Sequence, residues 1–237
     1  MGQFVLNIPE LLNQLEAHYG RQKSGWPSDP YQFIVWWNCG YPPSEAACSK
    51  GWAALEKEIG TGPKQILAAQ TAALARALKA GGLIPDLRAR RLKEIAAKVR
   101  SEFGGNLLSG LTGPVAAARK TLKQFPGIAD PGADRILLFG KIAPVAAVPS
   151  NCPHVLVRIR GGPKQGKYSA EYRAAQQAIA AELPETFHAR KRAYLLLKKH
   201  GQELCKRSTP KCEECPVNSA CSYFAEKRRG RAPRSRS

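Results

Sequence analysis

Long apolar runs are absent from this 237-residue chain, and no alternating polar–apolar pattern persists beyond a few residues. The first absence excludes a helical membrane span, and the second leaves an all-α fold as the expectation. Acidic residues are scarce as well: 18 Asp and Glu face 37 Lys and Arg, a formal net charge of +19. Residues 227–237 hold six basic and no acidic residues and read as a disordered basic tail, a non-specific electrostatic arm; without them the body keeps +13. A body that basic implies a polyanionic partner, of which nucleic acid is the commonest. A membrane surface fits less well, because no basic amphipathic helix with bulky apolar anchors stands out. The plain alternative is that the charge serves solubility alone. The seven cysteines are odd in number and no secretory leader precedes them. Both features count against a disulfide scaffold and for an intracellular protein of the cytoplasm or nucleoid.

Hydrophobic residues at 43% and charged residues at 23% are ordinary for a globular protein, and the length allows two domains. Apolar residues recur at helical spacing from Ile8, with Pro9 as a first-turn proline. Gly20–Pro30 reads as a linker, and Tyr31–Trp37 as a short apolar segment broken by Asn38–Pro43. Helices are expected at 44–58 with Ser44 as cap, at 63–68, 70–80 and 87–103, and at about 154–160, 169–182 and 186–203. The 87–103 helix carries Arg88, Arg90, Arg91, Lys93, Lys98 and Arg100, a basic face that is either solvated or in contact with DNA.

Near the C-terminus Cys205, Cys212, Cys215 and Cys221 follow the spacing C-x6-C-x2-C-x5-C within 17 residues. Four thiolates on one loop can hold a [4Fe–4S] cluster or a tetrahedral zinc. Structural zinc sites usually pair two C-x2-C units, and only one is present here, so the cluster is the first choice and zinc the second.

Between these regions lies Leu122-Lys-Gln-Phe125-Pro126-Gly127-Ile128-Ala129-Asp130-Pro131. A helix running to Phe125, a Pro-Gly turn and a second helix starting near Pro131 make a helix–hairpin–helix. Such a turn offers backbone N–H groups, beside the positive end of the second helix, to an anion such as a DNA phosphate. Ala129 stands where a second glycine would be expected.

The hairpin, the Pro-rich crossing at 144–153 and the terminal cysteines, in this order, resemble the endonuclease III superfamily of helix–hairpin–helix DNA glycosylases with an iron–sulfur loop. The resemblance implies two helical domains flanking a DNA-binding cleft. One is a six-helix body over 31–145; the other is an iron–sulfur domain built from 1–30 and 146–226. It further implies a partner that is double-stranded DNA, damaged or distorted, bound by a monomer that flips a nucleotide out of the stack. Phe125, Pro126, Gly127, Ile128 and Ala129 match the phosphate-binding hairpin, and Lys206, Arg207 and Lys211 lie on the cysteine loop where the family touches phosphates. Two family positions are not conserved in kind. The lysine that attacks the sugar becomes Pro131, and the aspartate of the crossing becomes Pro149, with Val148, Ser150 and Asn151 matching around it. Proline offers no nucleophile, so lyase chemistry at Pro131 is excluded. Tyr41 falls near the family's intercalating residue, with Leu83 or Ile84 as a second wedge. The competing reading buries Tyr41 in an aromatic core with Trp36 and Trp37.

Three functions follow. The first is a glycosylase-fold protein, in or derived from base excision repair, that recognises damaged or distorted DNA without the usual chemistry. The second is an active monofunctional N-glycosylase using Asp130 or Asp134, although Asp130 equally suits a helix cap and Asp134 an ion pair with a nearby arginine. The third is an iron–sulfur redox or scaffold protein, which leaves the body's charge unexplained.

Overall fold

The computed structural model describes residues 6–42, 44–161 and 168–231. Among them it is all-α, as expected, with a single isolated bridge, between Tyr41 and Gly82, in place of any strand. No helix of the described residues is long and apolar enough to cross a membrane. The chain divides into two compact units: Gly25–Ala143, and the residues up to Ser24 together with those from Pro144.

The Gly25–Ala143 unit contains α2 (Pro30–Asn38), α3 (Glu45–Glu58), α4 (Pro63–Ala68), α5 (Thr71–Leu78), α6 (Pro85–Phe103), α7 (Val115–Leu122) and α8 (Asp130–Phe139). That is seven α-helices where the resemblance implied six. The short α4 is set apart by the Gly-Thr-Gly-Pro sequence before it and by Ala69 and Gln70 in extended conformation after it. The apolar segment at 31–37 is helical. Asp29 caps it by accepting from Gln32 N at 2.9 Å, and Pro30 occupies its first turn. Ser44 caps α3 as expected, accepting from Ala47 N at 3.1 Å.

The core of this unit is built from Phe33, Ile34, Leu55, Ile66, Leu74, Leu92, Ile95 and Leu137, all buried. Each such side chain removed from water contributes about 1.5–3 kcal/mol. Inside it the Arg135 guanidinium stacks 3.7 Å from the Trp26 ring, lies 5.0 Å from Phe33, and bonds Glu45 at 3.1 Å. One cation thereby ties α8 to α2 and α3.

The other unit contains α1 (Ile8–Tyr19), α9 (His154–Arg160), α10 (Tyr168–Glu182), α11 (Phe187–Glu203) and α12 (Ser222–Arg231). Ile8, Leu11, Leu12 and Leu15 form the buried stripe of α1 and join Val155, Ile159, Ile179, Leu196 and Leu197 in one core. The expected disordered tail is corrected in part. Residues 227–231 continue α12, whose apolar anchor Phe224 is buried, while 232–237 lie outside the described residues.

Candidate nucleic-acid interface

The hairpin closes earlier than its sequence suggests. Helix α7 ends at Leu122, and Lys123–Phe125 turn through bonds from Gln124 N to Thr121 O and from Phe125 N to Leu122 O, both near 3.1–3.2 Å. Gly127 has φ +76°, a left-handed conformation that glycine adopts without steric cost. Phe125 and Ile128, expected among the DNA-contacting residues, are instead buried at 2% and 6% exposure and anchor the hairpin into its own core. Gly127 and Ala129 are exposed and Pro126 half-buried. Ala129 is extended (φ −101°, ψ −175°), a backbone that any residue adopts, so the missing second glycine costs nothing here.

Helix α2 holds this turn from below. Asn38 Nδ2 donates to Pro126 O at 3.0 Å and to Ile34 O at 2.9 Å, and Trp37 Nε1 donates to Gly127 O at 3.2 Å. The carbonyls of Pro126 and Gly127 are thereby engaged by α2, and within the turn Ile128 N donates to Phe125 O at 3.2 Å. The first-turn N–H groups of α8 have no partner within the helix, although Pro131 in that turn supplies none.

Both candidate acids lie on α8 and both are paired. Asp130 is not the helix cap; Ala129 is, and Asp130 is the first helical residue. Its carboxylate is 56% exposed and bonds Lys123 Nζ at 2.6 Å. Asp134 is buried, and its Oδ1 receives Nε and Nη2 of Arg119, each at 2.7 Å, in an ion pair that joins α7 to α8. Pro149 is buried and its carbonyl accepts from Cys152 N at 2.9 Å, whereas Ser150 and Asn151 are exposed.

The wedge candidates come together. Tyr41 N donates to Gly81 O at 3.0 Å and Leu83 N donates to Tyr41 O at 2.9 Å, a parallel bridge that places Tyr41 beside Leu83 and Ile84. Tyr41 is 41% exposed, Leu83 64% and Ile84 40%. This overturns the buried-aromatic reading of Tyr41: Trp36 enters the core, but the chain turns at Cys39–Gly40 and carries Tyr41 out. Ile84 sits at φ 50°, ψ 48°, a left-handed conformation that a β-branched residue adopts only under constraint.

Beneath this patch lies Arg88, which the sequence places on a basic face but the fold buries at 1% exposure. Its Nε donates to Leu83 O (2.9 Å), Nη1 to Cys39 O (2.5 Å), and Nη2 to Leu78 O (2.9 Å) and Gly82 O (2.7 Å). Of the remaining basic residues on α6, Arg90 and Arg100 are exposed, Lys93 bonds Leu67 O and Lys98 pairs with Glu102.

In the other unit, Cys205, Cys212, Cys215 and Cys221 all line one pocket, and all are free thiols. The four share this pocket without converging on one point: among the described residues no three His, Cys, Asp or Glu are arranged to hold a single metal ion. Arg158 closes one side. It donates to Lys206 O at 2.8 Å and Arg207 O at 2.6 Å, and its Nη1 lies 3.9 Å from Cys205 Sγ. His154 Nε2 meets Cys205 O at 2.8 Å, and His200 Nε2 lies 3.7 Å from Cys215 Sγ. Burial pushes the thiols of Cys205 and Cys221 up and that of Cys215 to about 11. Lys206, Arg207 and Lys211 project from this loop. Arg207 is held by the buried Glu171 at 3.0 Å, and Lys211 by Glu214 at 3.4 Å.

The fold as a whole matches that of a trapped endonuclease III–DNA covalent intermediate with a TM-score of 0.73, covering 93% of this chain and 97% of that one at 16% identity. The chain has the endonuclease III fold. In sequence it is similar to a thymine/uracil-DNA glycosylase of Methanothermobacter thermautotrophicus, 28% identical over 68% of this chain and 67% of that protein. It is also similar to a thymine-DNA glycosylase of Aeropyrum pernix, 25% identical over 144 residues. That second match spans 60% of this chain and 60% of that protein's length. No family model matches the chain. The relatives are thus DNA glycosylases, in keeping with the resemblance drawn from hairpin and cysteines to the endonuclease III superfamily.

Proposed function

We propose that this protein binds damaged or distorted double-stranded DNA as a monomer and has lost the superfamily's lyase chemistry. The observation that carries the reading is the joint exposure of Tyr41, Leu83 and Ile84 on one hydrogen-bonded patch of the unit that also carries the hairpin. Three large apolar side chains in water, one of them on strained backbone, are a cost to the free protein. Inserted between base steps they become wedges that replace lost stacking. The hairpin amides would take a backbone phosphate without reading sequence.

The chemistry is weak for a stated reason. Pro131 and Pro149 leave no amine and no carboxylate at the family positions, Asp134 is committed to Arg119, and Asp130 faces solvent with Lys123. A glycosyl transition state without a nearby carboxylate forgoes on the order of 3–4 kcal/mol of electrostatic stabilisation. The cysteine pocket fits an iron–sulfur cluster by its donor set, four free thiols with a guanidinium beside one of them. Cys205, Cys212, Cys215 and Cys221 would hold it, and when bound it would supply cross-links that fix the loop, together with redox capacity.

The test is binding and base release on one set of duplexes: intact, mismatched, abasic, and carrying G·T, G·U or oxidised bases. Tighter binding to the distorted members is expected, with log K falling against log[salt] at a slope of roughly −5 to −7 for about 6–8 neutralised phosphates. A flat salt dependence removes the nucleic-acid reading. Base release abolished by Asp130→Asn or Asp134→Asn replaces loss of chemistry with an active glycosylase.

A further inference from the structure

Arg88 joins no carboxylate among the described residues, yet of their fully buried side chains only Trp36 is larger. Its four hydrogen bonds all go to main-chain carbonyls, and those carbonyls belong to the two segments that meet at the exposed patch: Cys39 on one side, Leu78, Gly82 and Leu83 on the other. The packing around this point is tight enough to exclude a methyl group. A Cβ on Gly81 would come within 1.9 Å of Cys39 O, and one on Gly51 within 2.0 Å of the same oxygen. A Cβ on Gly82 would come within 2.3 Å of Tyr41 O. The Cys39 carbonyl is therefore enclosed by two glycines and a guanidinium, two residues before Tyr41.

A buried cation without an anionic partner forfeits much of its hydration unless it gathers enough dipoles to replace water. Four carbonyl groups do this here, and in return their segments lose the freedom to move apart. A hydrocarbon of similar length would fill the volume but hold none of the carbonyls. The planar fork is also what lets one side chain reach four acceptors at once, which a lysine ammonium on a flexible stem cannot do in this geometry.

We infer that Arg88 is a positioning residue that locks Tyr41, Leu83 and Ile84 into a pre-formed wedge, so that the tip enters a duplex without ordering first. This rests on the reading of that patch as the DNA-probing element. The benefit is entropic: a loop already fixed pays no ordering cost on insertion.

The experiment uses the full chain with Arg88→Met, Arg88→Lys, Tyr41→Ala and Leu83→Ala. The DNA is a duplex carrying 2-aminopurine beside an abasic-site analogue, and fluorescence at saturating protein reports unstacking. Arg88→Met is expected to lose about tenfold in the ratio of affinities for abasic over intact duplex. Its fluorescence gain should fall to that of Tyr41→Ala, while binding of intact duplex changes less than twofold. Arg88→Lys is expected between Arg88→Met and wild type. A natively folded Arg88→Met with the full fluorescence gain overturns the inference. Should Arg88→Met fail to fold, hydrogen exchange on Arg88→Lys decides: faster exchange at the Tyr41 and Leu83 amides is expected, and unchanged protection overturns the inference. Wild-type protein that shows no unstacking sinks the DNA reading instead, and the exchange measurement then judges Arg88 alone.

Discussion

Residues 78–88 and residues 204–221 both expose irregular backbone, and in both a buried arginine grips consecutive carbonyls: Arg88 in the first, Arg158 in the second. Their surroundings differ. Around Arg88 the loop is completed by groups the protein itself supplies: two glycines against Cys39 O, a main-chain bridge to Tyr41, and the apolar core under α6. Around Arg158 the interior is lined by the four cysteines together with Ile159, Leu204 and Phe224, and the cysteines bond one another in no disulfide. Both loops are shaped by a guanidinium, but the first closes on protein alone while the second surrounds a pocket. The Gly25–Ala143 unit should therefore keep its fold whatever fills that pocket, and the other unit should not.

The largest expected effect tests this directly. On the proposal that the loop holds a cluster, Cys212→Ser with Cys215→Ser should remove visible absorbance near 400 nm and cost the unit that begins again at Pro144 several kcal/mol, since metal binding free energy becomes folding free energy in such loops. Limited proteolysis should then cut between 205 and 221 while fragments from 25–143 persist. Equal loss of both units would break the comparison.

Next, Arg158→Ala should cost about 2–4 kcal/mol, because the carbonyls of Lys206 and Arg207 lose their charged donor. The readout is a lowered denaturation midpoint. Asn38→Ala should cost about 1–2 kcal/mol for two lost carbonyl bonds. It should also weaken binding to intact and distorted DNA alike, separating hairpin support from wedge support.

The smallest effect is Leu83→Ala. At 64% exposure it should shift stability by less than about 0.5 kcal/mol while lowering the preference for distorted DNA. A substantial loss of stability would mean the residue packs rather than probes.

The uneven legibility of the sequence follows from the same physics. The α9 helix over 154–160 and the cap at Ser44 were readable because they depend on neighbours in sequence. That the four cysteines of the C-terminal loop line one pocket was readable because their spacing is local too. Arg88 was not, since a basic residue in a basic helix looks solvated until Gly51 and Gly81 bring Cys39 against it. The choice between the two readings of Tyr41 is not local for a related reason: its exposure is set by a bridge to Gly82, 41 positions away. The role of Asn38 in holding Pro126, 88 residues on, had no local signal at all.

Pro131 has one further consequence. It stands half-buried in the first turn of α8, a position where a proline and a lysine are almost interchangeable to a helix, since no amide bond is made or lost there. On the proposed loss of chemistry, silence at this position is consequently not cemented into the architecture: Pro131→Lys should leave the scaffold standing within about 1 kcal/mol. Pro149 is the opposite case, enclosed on its side, so that an acid returned there would have to be accommodated before it could act. On that proposal, the first position could regain a reactive side chain cheaply and the second only by remodelling.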